Sequence, residues 1–151
     1  MIVNSEFVLV SILVPIYNVS KYIEQCAVSL FEQTYDNIEY VFVDDCSPDD
    51  SIALLKKVME RYPKRKDQVK IVAHEKNAGL SNARITGINN CSGLYLLNVD
   101  SDDYIERDMV EVMMQKALDS DSDMVVCDFN YVFIDEVKRM NNMVENDRLE
   151  Y

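Results

Sequence analysis

The sequence predicts an α/β fold built on a mainly parallel sheet with helices on both faces. Two observations predict it. Short apolar runs alternate with stretches of helical periodicity along the 151 residues, the pattern left by strands joined through crossover helices. Two of those runs also break off into acid: residues 39–43 lead into Asp44-Asp45, and residues 95–99 lead into Asp100-Ser101-Asp102-Asp103. In open sheets ligands sit outside the carboxyl ends of the strands, where strand order reverses, and both acidic corners fall at such ends.

Each element follows from its local pattern. The first strand is expected over residues 7–14, closed by Pro15, which has no N–H for a sheet ladder. A helix over residues 20–33 takes Ser20 as N-cap and buries Ile23, Cys26, Ala27 and Leu30 at i, i+3, i+4, i+7 spacing. The second strand covers 38–43. Ser47-Pro48-Asp49-Asp50 then reads as an N-cap, a first-position proline and first-turn acids, opening a helix whose inner face carries Ile52, Leu55, Met59 and Tyr62. A short third strand over 69–73 precedes a turn at 77–81 and a helix carrying Ala83, Gly87, Ile88 and Cys91 inward. The fourth strand runs from 94 or 95 to 99, and the next helix, residues 106–118, presents Val110, Met113, Met114 and Ala117. A fifth apolar run covers 124–129 and extends toward 134. The domain is therefore expected over residues 1–134, with 135–151 as a terminal helix or tail.

Composition narrows the function. A hydrophobic share of 48% and a charged share of 28% are those of an ordinary globular domain. With Lys+Arg 15 against Asp+Glu 27, and a net charge of -12, the chain cannot offer the broad basic surface that binds nucleic acid without metal. Any phosphate ligand needs local positive charge or a bridging cation. The four cysteines show no CxxC spacing and the chain has a single histidine, His74, so a zinc site is excluded and the thiols are expected to be reduced. No basic leader precedes the first apolar run, and no segment approaches the roughly eighteen apolar residues of a membrane span. A cytoplasmic protein is expected, working in part at the inner face of the membrane.

The turn after the first strand reads Pro-Ile-Tyr-Asn-Val-Ser and holds no glycine, which excludes the glycine-rich phosphate cradles of dinucleotide-binding and P-loop proteins. Tyr17 instead offers a ring for a base to stack on, Asp45 an acceptor for a pyrimidine N–H, and the carboxylates after the fourth strand hard oxygen ligands for a divalent ion. Helix capping explains Asp49, Asp50 and Asp103 more simply than ligand binding does, through the Ser47/Asp50 and Asp103/Glu106 spacings. His74 reads as a polar residue at a strand end. A receiver-type signalling domain is the less favoured alternative, since its acidic pair belongs after the first strand, where Pro15 stands.

Four ordered segments, Val-Ser-Ile-Leu-Val-Pro-Ile-Tyr-Asn (10–18), Val-Asp-Asp-Cys-Ser-Pro-Asp (43–49), Asn-Ala-Gly-Leu-Ser-Asn-Ala-Arg (77–84) and Gly-Leu-Tyr-Leu-Leu-Asn-Val-Asp-Ser-Asp-Asp-Tyr (93–104), resemble the successive motifs of family 2 glycosyltransferases, which have the Rossmann-like GT-A fold. The resemblance implies inverting transfer of a sugar from a nucleotide sugar, usually a UDP-sugar, to a saccharide or lipid-linked acceptor. It implies that Pro15, Tyr17 and Asn18 line the nucleoside pocket and that Asp45 binds uracil. It also implies that Arg84 assists near the diphosphate, and that Asp100 and Asp102 form the DxD pair. Asp102 would contact an Mn2+ or Mg2+ ion directly, with Asp100 at the ribose or beside the ion. The family has Gly where Cys46 stands and Asn where Ile85 stands. Its general base falls beyond the nucleotide-binding half, so no catalytic base is assigned in this chain, and membrane association is expected through a C-terminal part outside it. The alternative is a nucleotide-sugar-binding or interaction module without activity of its own.

Overall fold

A computed structural model describes residues 8–132 and, as backbone, 137–140. The chain divides into two compact units, Met1–Val112 and Met113–Tyr151. In the first, β1 (Val10–Ile16), β2 (Ile38–Asp44), β3 (Val69–Ala73) and β4 (Tyr95–Asn98) form one sheet in the order β3-β2-β1-β4, every pair parallel. The helices α1 (Ile23–Phe31), α2 (Ser51–Arg61) and α3 (Leu80–Ile88) are the crossovers, and a 3-10 turn over Pro63–Gln68 joins α2 to β3. α4 (Met109–Ser120) begins in this unit.

All seven residues of β1 are buried, as a central parallel strand covered on both faces requires. On one face Phe31 of α1 meets Tyr40 and Phe42 edge-on, with ring centroids 5.1 and 6.2 Å apart. On the other, Leu13, Val41 and Val43 pack with Ala83 of α3. Gly87 lets α3 lie close there: a Cβ on it would stand 1.8 Å from Leu13 Cδ1, so the buried Leu13 side chain would have to shift. Ile23, Cys26, Ala27 and Leu30 are all buried as expected, but α1 starts at Ile23, and the Tyr22 before it makes no side-chain cap, so Ser20 is not the N-cap.

Pro15 does not close β1; the strand runs through it to Ile16, with Pro15 opposite Val43. The reason is one-sided. Val10 N–H and Ile16 C=O pair toward β2, whereas Leu9 and Leu13 carbonyls accept from Leu94 and Val99 on the β4 side, so the proline's missing N–H faces β4. That pairing already ends at Leu13↔Asn98. β1 and β4 part beyond this point, and the order β2-β1-β4 makes it the topological switch point of the sheet.

Two further helices start later than the spacing suggests. α2 begins at Ser51, with Asp50 before it making no cap bond, and buries Ser51, Leu55 and Val58, whereas Ile52 and Met59 are half-buried. α4 begins at Met109, so Asp103 caps nothing; its N–H closes a turn onto the Asp100 carbonyl at 3.0 Å. α3 buries Ala83 and Gly87 but leaves Ile88 53% exposed.

In the second unit α4 continues, and β5 (Phe129–Val132) pairs antiparallel with β6 (Val137–Met140) as a two-stranded sheet. The fifth apolar run is therefore not a further strand of the parallel sheet: residues 124–128 have no strand pairing, and the strand starts at Phe129. Of the expected C-terminal helix or tail, residues 137–140 are strand, and 135–136 and 141–151 lie outside the described residues. No helix among the described residues is long and apolar enough to cross a membrane.

Candidate functional site

A cleft of about 390 Å³ opens where β1 and β4 part. Pro15, Ile16 and Tyr17 from the end of β1 form one wall, Asp100, Ser101 and Asp102 from the end of β4 another, and Asp45 lies between them with Asn77, Gly79, Leu80 and Ala83 from the β3–α3 connection. Five expected site residues, Pro15, Tyr17, Asp45, Asp100 and Asp102, thus share one cavity. Asn18 and Arg84 are not among its walls.

Asp45 is 2% exposed, yet none of its burial is left uncompensated. Oδ1 accepts the Ala78 N–H at 2.7 Å and the His74 Nδ1–H at 2.7 Å, and Oδ2 accepts the Gly79 N–H at 2.8 Å. Burial pushes its pKa up, but the bonds from Ala78, His74 and Gly79 outweigh burial and hold it below the usual carboxylate range. A carboxylate has about four acceptor sites, so Oδ2 keeps one to offer a ligand. Gly79 presents its N–H from φ 86, backbone that L side chains rarely adopt. Next to Asp45, exposed Cys46 sits at φ 57, so this turn keeps the left-handed geometry that glycine would supply and stores the strain of a side chain there.

The other corner is held more loosely. Asp100 Oδ1 accepts Arg84 Nη2 at 2.6 Å and Asn98 Nδ2 at 3.2 Å, the Arg84–Asp100 pair being 39% and 43% exposed. Arg84 therefore stands behind Asp100 as its ion-pair partner. Its Nε is buried without a hydrogen-bond partner. Asp102 and Asp103 are exposed. The Asp103 pKa is raised, first by partial burial and then by the charges of Asp102 and Asp100. The same charges reach Cys26 of α1, whose Sγ lies 3.9 Å from the Asp100 carbonyl oxygen; burial first, then Asp103, Asp102 and Asp100, push that thiol up to about 12, which makes it inert. Among the described residues no three His, Cys, Asp or Glu side chains could hold a metal ion together. Asp100 and Asp102, both on the wall of the cleft, carry the hard oxygen donors that a divalent ion prefers.

The contribution of His74 was not legible as more than a strand-end polar group. It bridges Asp45 to Thr86, with Nε2 2.9 Å from the Thr86 Oγ1, and ties the end of β3 to α3. Asn77, Gly79 and Ser101 also line the cleft, and the signal for the first two was their place in the 77–84 segment.

Fold and cleft together define an α/β protein with an open cleft at the sheet's switch point, between a buried carboxylate and an exposed acidic turn. The model of the family described as "Glycosyl transferase family 2" matches residues 11–150, and the chain belongs to that family. It is similar to the glycosyltransferase GlyA of Streptococcus pneumoniae, 41% identical over 131 residues that make up 87% of this chain and 18% of GlyA. It is equally similar, 41% over 121 residues, to the uncharacterized glycosyltransferase EpsJ of Bacillus subtilis, covering 80% of this chain and 34% of EpsJ. The chain thus spans 18% and 34% of the length of these two relatives. Among solved structures, Staphylococcus aureus TarS 1-349 in complex with UDP-GlcNAc matches with TM-score 0.65 and 31% identity over 72% of this chain and 30% of that one. The mannosyltransferase PcManGT of Pyrobaculum calidifontis, in complex with GDP-Man and Mn2+, matches with TM-score 0.59 and 27% identity over 63% of this chain and 28% of that one. The fold is that of GT-A glycosyltransferases.

Proposed function

We propose that this chain is the donor-binding part of an inverting glycosyltransferase that moves a sugar, of hexosyl or N-acetylhexosaminyl type, from a UDP-sugar to a saccharide or lipid-linked acceptor. The observation that carries the reading is that Tyr17, Asp45 and Asp102, from three separate strand ends, line one cleft. Tyr17, 48% exposed, offers its ring face to the base. The remaining lone pair on Asp45 accepts the ring N–H of uracil, and the carboxylate's fixed hydrogen bonds hold that acceptor in place. Asp100 and Asp102 hold an Mn2+ or Mg2+ ion, which when bound supplies Lewis-acid stabilisation of the charge developing on the departing diphosphate. Arg84 keeps Asp100 oriented and partly neutralised. The general base and the acceptor site belong to a part of the enzyme outside this chain, and any membrane association would come from there as well. The domain assignment of residues 1–134 as nucleotide-sugar-binding follows this reading.

Calorimetric competition among UDP, GDP and dTDP in Mn2+ tests it. UDP is expected to bind tightest, and Asp45→Ala to weaken UDP and level the three affinities. Equal affinities in the wild-type chain would place base recognition elsewhere.

A further inference from the structure

Three consecutive backbone N–H groups follow Tyr17, and all three are bound by the β2–α2 loop and the first residue of α2. Asn18 N–H donates to Ser47 Oγ at 2.8 Å, Val19 N–H to Ser51 Oγ at 3.1 Å, and Ser20 N–H to Asp49 Oδ2 at 2.8 Å. Both hydroxyls in turn donate to Asp49 Oδ1, Ser47 at 2.8 Å and Ser51 at 2.5 Å, and the Ser51 N–H reaches the same oxygen at 3.1 Å. One carboxylate therefore supplies or bonds each of the three acceptors of these N–H groups, while the Ser47 N–H is also held by Asp44 Oδ1 at 2.8 Å. A helix cap would serve its own helix alone, whereas this one fastens a loop about thirty positions earlier in the chain. Asn18, the first of the three tethered residues, sits at φ 56, in the left-handed region that asparagine adopts more readily than most residues. Burial pushes the Asp49 pKa up, but the Ser51, Ser20 and Ser47 bonds hold it far below the usual carboxylate range, so the acceptor stays ionised at neutral pH.

We infer that Asp49, acting through Ser47 and Ser51, is a positioning residue for nucleoside recognition: it fixes the backbone after Tyr17 so that the ring is set for the base before the donor arrives. Preorganisation of this kind removes the ordering that binding would otherwise have to supply. The inference rests on the proposed donor site. It differs from a purely structural role because its effect is confined to the base side of the ligand. The diphosphate side belongs to Asp100 and Asp102, which the tether does not touch.

The test compares UDP with inorganic pyrophosphate, each titrated in Mn2+ into the wild-type 151-residue chain, Asp49→Ala, Tyr17→Ala and the double variant. Asp49→Ala is expected to weaken UDP by about tenfold, part of what one stacked base contributes, and pyrophosphate by less than about twofold. In the Tyr17→Ala background it should add less than about twofold for UDP, because the two act through one contact. Should Asp49→Ala fail to fold, Ser47→Ala, which frees Asn18 and leaves Asp49 bonded to Ser20 and Ser51, is expected to show the same selective loss at a smaller size. Equal losses for both ligands, or additive losses with Tyr17→Ala, would overturn the inference and leave the donor site standing. Failure of the wild-type chain to bind UDP would overturn both.

Discussion

The two acidic corners of the cleft are opposites in their electrostatics. At the end of β2, Asp45 is buried and receives three hydrogen bonds, so its charge is stabilised by the protein alone. At the end of β4, Asp102 and Asp103 are exposed, their charges oppose one another, and Asp100 alone has a cationic partner. Two like charges about 4 Å apart repel by roughly 4 kcal/mol at an effective dielectric near 20. The first corner is complete before a ligand binds, and on the proposed reading a cation completes the second. Fixed acceptors suit recognition of a neutral base, and unfinished charge suits capture of a metal diphosphate.

The largest effect expected from this contrast is at Asp102. Asp102→Ala should reduce UDP affinity in Mn2+ by about a hundredfold and leave affinity in EDTA unchanged, as calorimetry would read. Loss of affinity in both conditions would mean that the side chain contacts nucleotide directly and not through an ion.

Removing one charge from each corner should act with opposite sign. Asp45→Asn turns an N–H₂ toward the Ala78 or Gly79 N–H and leaves a buried donor unpaired, so urea unfolding should show a loss of about 1–3 kcal/mol. Asp103→Asn relieves repulsion in a solvent-screened place and should raise stability in EDTA by no more than about 0.5 kcal/mol, with the gain gone once Mn2+ and UDP are bound. If both substitutions destabilise equally, the corners do not differ as described.

Acid should separate them too. The Asp45 pKa is lowered on folding, so its contribution is whole above the ordinary carboxylate pKa of about 4 and is lost as pH falls through the folded value. The Asp103 pKa is raised, so its penalty is whole above the folded value and disappears as pH falls toward about 4. The small gain from Asp103→Asn is therefore expected at pH 7 and absent near about pH 3. A gain that persisted in acid would exclude charge repulsion as its cause.

Legibility followed the range of the interactions. β3 lies over Val69–Ala73 as its apolar run indicated, and the α1 stripe is buried residue by residue, because both depend on local periodicity. Pro15 misleads because its missing N–H matters on one side of a strand only, and which side depends on a partner eighty positions away. The run at 124–129 is apolar enough for a strand, but composition does not say which edge, if any, will accept it. The cleft was legible where strand ends announced themselves in acid. Ser47 and Asp50 mimic a cap by spacing, and the bonds that make Asp49 a tether to residues 18–20 leave no local pattern. His74 gave no hint of its bond to Asp45, since a lone histidine carries no spacing to read.

On the proposed reading the β4 corner becomes a binding surface only through a cation. UDP titrated into the wild-type chain at pH 7, once in Mn2+ and once in EDTA, tests it most directly. Binding about a hundredfold tighter in Mn2+ than in EDTA is the predicted result; equal affinity in the two would contradict it.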